Sequence, residues 1–444
     1  MKRAYFGKPL LVGLALSMYA WLAAAPADAI AQRNWIGSLV GDRLFGTSGN
    51  WDGATPIATG DYLTFGATVN VSGDLINNLQ GYSATRLTFT GSYGFTLKGN
   101  PLTVTESIIV NNDGGEHQIE LDVAGKADTL VGRNARLHLS GANTFTGQVD
   151  VNGTLYAESN TALGSTAGPT KINAGGLLRI NGRDLAESLL LNGAGLEQCS
   201  VQNDGGVSIL RDVQIAGTVC IVNVGTLNFP NGIGQFAPGF DLLLAEGTNL
   251  VGGASNADGV LRLAAGGDLR WDSNAKVQIR SEEIFDVKPV MNLSGSGTAT
   301  SLDYTGGTFA PGSASATGRF TLTGSFLIES ANLAILVNGT TAGTGHSAVQ
   351  TGGPVTIGAS TELQFLLAVG YTPTIGSQYR IIDNTGNQPV SGTFAGLPEG
   401  ARFQAGGRPF SITYKGGSGN DVVVTALTPD LRPFKRIVMM LARD

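Results

Sequence analysis

The chain has 444 residues, of which 65 are glycine, 14% are charged and 42% are hydrophobic. The hydrophobic share is large enough for a buried core, so the composition argues against general disorder. The net charge is −6 and no run of lysine or arginine occurs in the body of the chain, which argues against a nucleic-acid partner.

The N-terminus has the three parts of an export signal. Three basic residues fall within the first eight positions, residues 9–25 form an apolar stretch, and a small-x-small cleavage site ends at Ala29. We therefore predict a signal peptide over residues 1–29, cleaved before residue 30 or two residues later. The alternative is an uncleaved anchor helix. No later stretch resembles a membrane span, so the mature chain is expected to leave the cytoplasm.

Residues 30–310 consist of short segments in which apolar and polar residues alternate, each ending in glycine, asparagine or aspartate. Alternation at a period of two indicates half-buried β-strands, and the small polar residues indicate turns. Several segments share one order: a strand, a small polar corner, then Gly-x-Leu at the start of the next strand. The mature sequence has no convincing helical pattern, so the predicted fold class is all-β.

The Gly-x-Leu corners recur at intervals of about 20 residues, which is the expected length of one coil of a parallel β-solenoid. Leu155 and Leu177 are separated by about one such interval, and so are Leu250 and Leu269. Neighbouring coils of a solenoid stack and share one core. We predict a right-handed parallel β-helix over residues 30–310. The alternative, an array of β-sandwiches, would have strands about every 8–12 residues without the longer period.

The chain has two cysteines, Cys199 and Cys220. Export would place them in an oxidising compartment, where a disulfide is permitted. Because their separation is about the length of one coil, they are predicted to lie in adjacent coils within disulfide reach. Two buried thiols are the alternative. His117 and His138 have the same separation, which is expected to reflect the same stacking period.

The most specific motif of the chain is residues 137–180, LHLSGANTFTGQVDVNGTLYAESNTALGSTAGPTKINAGGLLRI. It resembles the autotransporter-associated β-strand repeat of bacterial passenger domains, which reads L-x-L-S-G-x-N-T-y-T-G, a strand, G-T-L, a corner and a-G-G-x-L. The matching residues are Ser140, Gly141, Asn143, Thr144, Thr146, Gly147, Gly153, Thr154, Leu155, Leu163, Gly164, Gly175, Gly176 and Leu177. Residues 34–66, with Trp35 and Trp51, are similar to the start of such proteins. The resemblance implies a solenoid passenger domain and leaves its ligand open.

Residues 311–427 resemble the closing module of the same proteins, with PGSASATG at the start and GGSGNDVVV near the end. We predict a β-rich capping module here, followed by a short tail over residues 428–444. Aromatic side chains are expected to cover the last coil, whose open edge would otherwise invite pairing, although partner binding is an alternative. They are Phe365, Tyr371, Tyr379, Phe394, Phe403, Phe410 and Tyr414. Complete autotransporters end in a transmembrane β-barrel, which this sequence is expected to lack.

Residues 416–424, GGSGNDVVV, also fit the nine-residue pattern G-G-x-G-x-D-x-U-x of calcium-loaded β-rolls. Calcium in a β-roll is held between successive copies of the pattern, because the ion takes about six or more oxygen ligands. The flanking nine-residue segments do not repeat it. Asp421 is therefore a weak calcium candidate, and the stretch is predicted to be a turn and strand of the cap.

Parallel β-helices also include polysaccharide-degrading enzymes, which need converging carboxylates or a base beside acidic metal ligands. Acidic residues with nearby bases occur at four predicted corners: Asp122, Asp128 and Arg133; Arg183 and Asp184; Arg211 and Asp212; Glu282, Glu283 and Asp286. Because no two of these groups recur one coil apart, they are interpreted as solvated corner charges. The three histidines lack the spacing of zinc ligands. The chain is predicted not to be an enzyme and to need no cofactor or metal.

The sequence therefore predicts an exported bacterial β-solenoid with a structural or adhesive role, secreted or held on the outer cell surface, with the periplasm as an alternative. Its expected partner is a surface ligand, either a protein or a glycan, and a separate anchor or secretion partner is expected if it is held at the surface. Two alternative functions stay open. One is a polysaccharide-degrading enzyme, and the other is a truncated, non-functional autotransporter fragment.

Overall fold

The computed structural model describes residues 30–37, 41–66, 73–111, 115–193, 199–234, 241–245, 248–251, 256–263, 268–271, 276–281, 292–299, 301–313 and 315–429. The predicted signal peptide and almost all of the predicted tail lie outside these residues, as do Glu282, Glu283 and Asp286. Within the described ranges the chain contains no α-helix, and its only helical turns are two 3-10 turns, Ser48–Asn50 and Asp52–Ala54. No helix in this part of the chain is long and apolar enough to cross a membrane.

The strands form two large parallel sheets and one smaller mixed sheet. The first sheet contains β1 (Gln32–Trp35), β2 (Tyr62–Phe65), β4 (Ser83–Phe89), β6 (Leu102–Val110), β8 (Val123–Gly125), β9 (Asp128–Val131), β11 (Val149–Val151), β13 (Thr170–Ile172), β15 (Asp184–Leu191), β17 (Val207–Ile215), β19 (Thr226–Phe229), β20 (Ile233–Gly234), β22 (Thr248–Val251), β24 (Asp268–Trp271), β26 (Asn292–Gly295), β29 (Thr308–Pro311), β32 (Asn332–Val337) and β35 (Glu362–Leu367). The second contains β3 (Gly73–Asn77), β5 (Phe95–Gly99), β7 (Glu116–Ile119), β10 (Arg136–Leu139), β12 (Thr154–Ala157), β14 (Leu177–Ile180), β16 (Cys199–Asn203), β18 (Val219–Asn223), β21 (Asp241–Ala245), β23 (Asn256–Leu263), β25 (Lys276–Ser281), β28 (Ser301–Thr305), β31 (Phe326–Glu329), β34 (Val355–Ile357) and β37 (Ser391–Gly392). The third contains β27 (Gly297–Ala299), β30 (Arg319–Leu322), β33 (Ala348–Thr351), β36 (Gln378–Asn384), β38 (Arg402–Ala405), β39 (Arg408–Gly416) and β40 (Asp421–Ala426).

Consecutive coils stack in parallel, and equivalent apolar side chains meet inside the stack. On the second sheet Leu137 lies beside Leu155, and Leu155 lies beside Leu178. All three side chains are fully buried, while their neighbours along each strand are partly exposed. No single coil can bury its apolar face alone, so stacking supplies the core. The predicted all-β parallel solenoid is confirmed; its right-handed sense stays a prediction.

Coil length varies along the solenoid. In two places the residues that the sequence spacing suggested as partners are one position away from the residues that pair in the structure. Leu178, and not Leu177, is the partner of Leu155. His138 is likewise one position out of register with His117. Because strand side chains alternate between faces, an offset of one position moves a side chain from the core to the surface. His117 is accordingly buried, whereas His138 lies on the outer face.

The motif residues of the predicted repeat support the stacking of the coils. The Asn143 side chain is buried, where its Oδ1 accepts the backbone N–H of Val123 at 2.9 Å and its Nδ2 donates to the carbonyl of Ala162 at 2.9 Å. Gly147 passes so close to Ala127 of the preceding coil that any side chain would overlap the Ala127 carbonyl. Asn143 thus hydrogen-bonds to both neighbouring coils, and Gly147 allows two coils to approach closely.

Aromatic side chains fill the first coils of the solenoid. The rings of Trp35 and Trp51 meet edge to face with centroids 5.1 Å apart, and the Trp51 Nε1 donates to the Phe45 carbonyl at 2.8 Å. Phe65 stacks on Phe89 at 5.1 Å. These large side chains are all buried. The two tryptophans of the N-terminal motif are therefore part of the hydrophobic core.

The C-terminal end changes from parallel to antiparallel pairing. Strand β40 pairs antiparallel with both β36 and β39, and β38 pairs antiparallel with β39. Phe410 joins this end to β35, the last strand of the first sheet in chain order, with its ring 5.0 Å from that of Phe365. The Tyr414 hydroxyl donates to the Leu397 carbonyl at 2.7 Å and accepts the Phe394 N–H at 2.9 Å, and burial raises the pKa of Tyr414 to about 12.

Parallel pairing also continues across residue 311. Strand β29 pairs with β32, and β32 pairs with β35, all in the first sheet. The sheets therefore have no break at this position. The domain boundaries at residues 310 and 427 stay predictions.

Candidate binding surface on the second sheet

The outer face of the second sheet carries three stacked polar side chains, which we call the outer ladder: His138, Tyr156 and Arg179. They occupy equivalent positions on β10, β12 and β14, so parallel stacking places them in one line. The His138 and Tyr156 rings are nearly parallel, with centroids 3.9 Å apart and an interplanar angle of 4°. The Arg179 guanidinium lies 5.2 Å from the Tyr156 ring centroid on the next coil, a cation–π distance. Both faces of the tyrosine ring are therefore covered.

Arg179 is fixed in place by a bidentate ion pair. Its Nε lies 3.0 Å from the Asp204 Oδ2, and its Nη2 lies 2.7 Å from the Asp204 Oδ1. Gln202 also donates to the same carboxylate at 2.7 Å. The hydrogen bonds to Asp204 raise the pKa of Arg179 further above its ordinary value. Planar fork-to-carboxylate geometry adds rigidity as well as attraction, so this end of the outer ladder is held in one arrangement.

The other end of the outer ladder is bound by two carboxylates. The His138 Nδ1 lies 2.7 Å from the Glu158 Oε1, and its Nε2 lies 3.1 Å from the Glu116 Oε1. Arg136 reaches the second oxygen of Glu116 at 3.2 Å. Charged groups of both signs therefore alternate along the face of the sheet.

A cavity of about 390 Å³ opens beside the outer ladder. Its polar lining consists of Ser140, Tyr156, Glu158, Arg179, Asn181, Arg183 and Asp204. The Arg183 Nε is buried and has no hydrogen-bond partner. We call this space the Arg183 cavity. It combines an arginine with an unsatisfied donor and two carboxylates that are already held by neighbours.

Two of the predicted corner charges meet across one coil. Arg211 donates to Asp184 through Nε at 2.8 Å and through Nη2 at 2.5 Å. Their sequence separation of 27 is longer than the average coil, but β15 and β17 pair directly. This bidentate pair links two coils, which was not expected from the sequence.

The carboxylates of Asp122 and Asp128 bind the backbone of the following coil. The Asp122 Oδ1 accepts the Ala142 N–H at 2.6 Å, and the Asp128 Oδ1 accepts the Gln148 N–H at 2.9 Å. Arg133 is exposed. Each carboxylate thus has a structural hydrogen bond at a corner.

The two cysteines lie side by side on neighbouring strands of the second sheet. Cys199 on β16 is the register partner of Cys220 on β18, and their Cα atoms are 4.2 Å apart. The structure joins their sulfur atoms in a disulfide. Whether the purified protein holds this bond stays a prediction, which thiol counting under denaturing conditions tests.

Asp421, the weak calcium candidate, is the first residue of β40, directly after the turn from β39, and is bound by protein groups. Its Oδ1 accepts the Asn384 N–H at 2.9 Å, and its Oδ2 lies 3.2 Å from the Arg380 Nε. Burial raises the pKa of the Asp421 carboxyl, while the bond from Asn384 and the charge of Arg380 act in the opposite direction. Gly417 at φ +53° makes the turn. Within the described residues, no cluster of three or more potential His, Cys, Asp or Glu ligands occurs.

The sequence reasoning missed the outer ladder and the Arg183 cavity. Tyr156 and Arg179 lie one coil apart in this part of the solenoid, and both are outward positions in alternating strands. That spacing was a usable signal. It was hidden because coil length changes here: the step from Arg136 to its partner Thr154 is shorter than the step from Tyr156 to Arg179.

Comparison with known proteins gives one informative similarity. No protein-family model matches the chain. Over 227 residues the chain is 29% identical to "Adhesin BmaC autotransporter" of Brucella suis biovar 1 (strain 1330). The match covers 47% of this chain and 6% of that adhesin. With the β-solenoid fold, the similarity is consistent with an autotransporter passenger-like protein. The specific repeat family stays a prediction.

Proposed function

We propose that this protein is an exported bacterial β-solenoid that acts as an adhesive element, on the outer cell surface or after secretion. The observation that carries the proposal is the similarity to part of an autotransporter adhesin in a chain that folds as a parallel solenoid. Stacked coils display their outward side chains in register, which gives a long face for binding a surface ligand. A separate anchor or secretion partner is part of the proposal for the surface-held form.

The arrangement of charges favours binding over catalysis. Asp122, Asp128 and Asp184 each hold a backbone N–H or an arginine of the neighbouring coil. General acid–base chemistry needs carboxyl groups that converge on a substrate, whereas these carboxylates support coil stacking. The outer ladder lies on the outer face of the second sheet, beside the Arg183 cavity.

The location is tested by protease treatment of intact cells, followed with an antibody to the C-terminal hairpins. We expect digestion without lysis, while a periplasmic control protein stays intact. Protection until the outer membrane is broken would contradict a surface location and favour the periplasmic alternative.

The adhesive role is tested by attachment of cells that produce the protein against cells that do not. We expect more attached cells in the producing strain, and we expect the antibody to reverse the gain. Equal attachment of both strains, with the protein detected on the surface, would contradict adhesion and favour the non-functional fragment. Release of products from pectin-like polymers by the purified protein would favour the enzyme instead.

A further inference from the structure

The Arg183 cavity contains one charged side chain, Arg183, that has no ion-pair partner among the described residues. Arg179 is neutralised by Asp204, and Glu158 contacts His138. Arg183 differs from them, because its Nε is buried without a hydrogen-bond partner and no carboxylate among the described residues pairs with it. Its neighbour in sequence, Asp184, is instead bound to Arg211 on the other side of the corner.

An arginine in this condition favours an anionic ligand. The guanidinium carries five N–H donors and matches a carboxylate in two-point geometry. Because no carboxylate of the described residues pairs with Arg183, a ligand carboxylate placed where Arg183 lines the cavity makes an ion pair that the free protein lacks. A carboxylate is thus the best-matched group for this part of the cavity.

The rest of the lining suits a polyhydroxylated ligand. The Asn181 amide and the Ser140 hydroxyl offer donors and acceptors, and the Asp204 carboxylate is held rigid by Arg179. The two apolar residues of the lining, Ala157 and Ile180, are each only 2% exposed, so they offer no apolar anchor. Tight protein partners commonly insert aromatic or aliphatic anchors into such pockets, and this lining provides no place for one.

The size and position of the cavity fit a short stretch of a saccharide chain. Its volume of about 390 Å³ lies at the lower end of the range typical of small-ligand pockets, enough for about one or two sugar units. The lining residues come from β10, β12, β14 and β16 or the turns that follow them. The cavity therefore spans successive coils of the solenoid.

We propose that the Arg183 cavity binds a carboxylated saccharide, with the sugar carboxylate on Arg183 and sugar hydroxyls on Asn181, Asp204 and Ser140. This names a ligand class for the adhesive function proposed above and depends on that function for its biological role. The ligand carboxylate is either part of a uronic acid within a chain or part of a terminal sialic acid. Both sources present the same chemistry to Arg183.

The test is calorimetric titration of the purified protein with trigalacturonate and with sialyllactose. Their neutral counterparts, methyl-esterified trigalacturonate and lactose, serve as ligand controls. We expect one of the acidic saccharides to bind at least about tenfold more tightly than its neutral counterpart, because the neutral ligand cannot form the charged hydrogen bond to Arg183. The tighter of the two acidic ligands identifies the source of the carboxylate.

Two substitutions at Arg183 and one elsewhere locate the site. Arg183→Gln is expected to weaken binding about tenfold or more, and Arg183→Lys is expected to retain part of the affinity because it keeps the charge. Arg133→Gln, which removes an exposed arginine from a different corner, is the matched control and should bind as the unchanged protein does. Thermal unfolding of each variant confirms that the fold is retained.

Three results would overturn the proposal. They are equal binding of acidic and neutral saccharides, unchanged affinity in a folded Arg183→Gln variant, and binding of an aspartate-rich peptide in place of any saccharide. If Arg183→Gln fails to fold, the affinity of Arg183→Lys and the comparison of acidic with neutral saccharides still test the proposal. These in vitro results are separate from the cell-attachment assay. If the protein binds an acidic saccharide but does not increase cell attachment, the proposed site is supported and the adhesive function is contradicted. If it increases attachment but binds no saccharide, the adhesive function is supported and the proposed site is contradicted.

Discussion

The parallel solenoid and the C-terminal hairpins use different pairing to bury the same kind of core. In the solenoid, partners such as Leu302 and Phe326 lie a whole coil apart in the sequence, so each coil depends on its neighbours. In the hairpin of β39 and β40, partners such as Thr413 and Val423 are joined by a single short turn. An inner coil has a neighbour on both sides, but the last coil would expose a strand edge. The antiparallel hairpins extend the third sheet beyond its last parallel strand.

Aromatic rings fill the first parallel coils and also the C-terminal end, where the pairing is antiparallel. In a middle coil, a buried aliphatic side chain packs between aliphatic side chains of the two neighbouring coils, as at Leu155. At the C-terminal end the antiparallel strands do not repeat the coil geometry, so large rings fill the irregular space. Phe410 contacts Phe365, Tyr379 and Phe403 there. The cap should therefore be more sensitive to loss of one ring than a coil is to loss of one methyl group.

The largest expected effect is at this junction. Phe410→Ala should lower the free energy of unfolding by about 3–5 kcal/mol, because it removes a fully buried ring and leaves a cavity among its aromatic neighbours. Denaturant unfolding measures the loss. Val369→Ala, at a fully exposed side chain of the same region, is the control and should change stability by less than about 0.5 kcal/mol. A loss below about 1 kcal/mol at Phe410 would contradict its role in joining the hairpins to the solenoid.

A polar contact between coils should have the next largest effect. Asn143→Ala removes two hydrogen bonds and leaves the Val123 N–H and the Ala162 carbonyl without this partner, at a cost of about 2–3 kcal/mol. Thr144→Ala, at the exposed neighbouring position, is the control and should cost less than about 0.5 kcal/mol. Thermal unfolding of the two variants is the comparison. Similar melting temperatures would show that the motif asparagine does not hold the coils together.

Glu187 gives an expected gain in stability within the solenoid. Its side chain is buried, its Oε2 has no hydrogen-bond partner, and burial raises its pKa above the ordinary value of 4.5. Glu187→Gln removes the buried charge and should stabilise the protein at neutral pH by about 1–2 kcal/mol. Glu362→Gln, at an exposed position, is the control.

The gain from Glu187→Gln should depend on pH. The folded protein binds the Glu187 proton more tightly than the unfolded chain, so the wild type gains stability as the pH falls through the raised pKa. The advantage of glutamine should therefore shrink from neutral pH towards pH 4.5 and then level off. Unfolding free energies across this range test the sign, and an advantage that grows on acidification would refute it.

The smallest expected effect is at Asp421, a carboxylate that is buried in the hairpin region. Unlike Glu187, it has a cationic partner, Arg380, and a backbone donor. Because these groups occupy both oxygens, we expect millimolar calcium and a calcium chelator to give the same melting temperature. A ligand that binds only the folded state raises the melting temperature, so a calcium-dependent increase would restore Asp421 as a metal ligand.

Much of the architecture could be predicted from local sequence. Alternating apolar residues and polar corners predicted the strands, and the recurrence of the corners at a coil-length interval predicted a parallel solenoid. The structure also places Cys199 beside Cys220 on neighbouring strands. These features depend on short-range periodicity, which the chain carries in every coil because every coil must bury one apolar face.

Tertiary structure decided which residues meet on the surface. Corners of different length shift the register, so Leu155 meets Leu178 instead of Leu177, and His138 lies on the opposite face from His117. The same shifts bring Tyr156 and Arg179 into one line. The sequence by itself determined that the coils would stack and that their apolar faces would point inward. The stacked coils determined the cavity at Arg183, because a change of one position in corner length moves a side chain to the other face of the sheet.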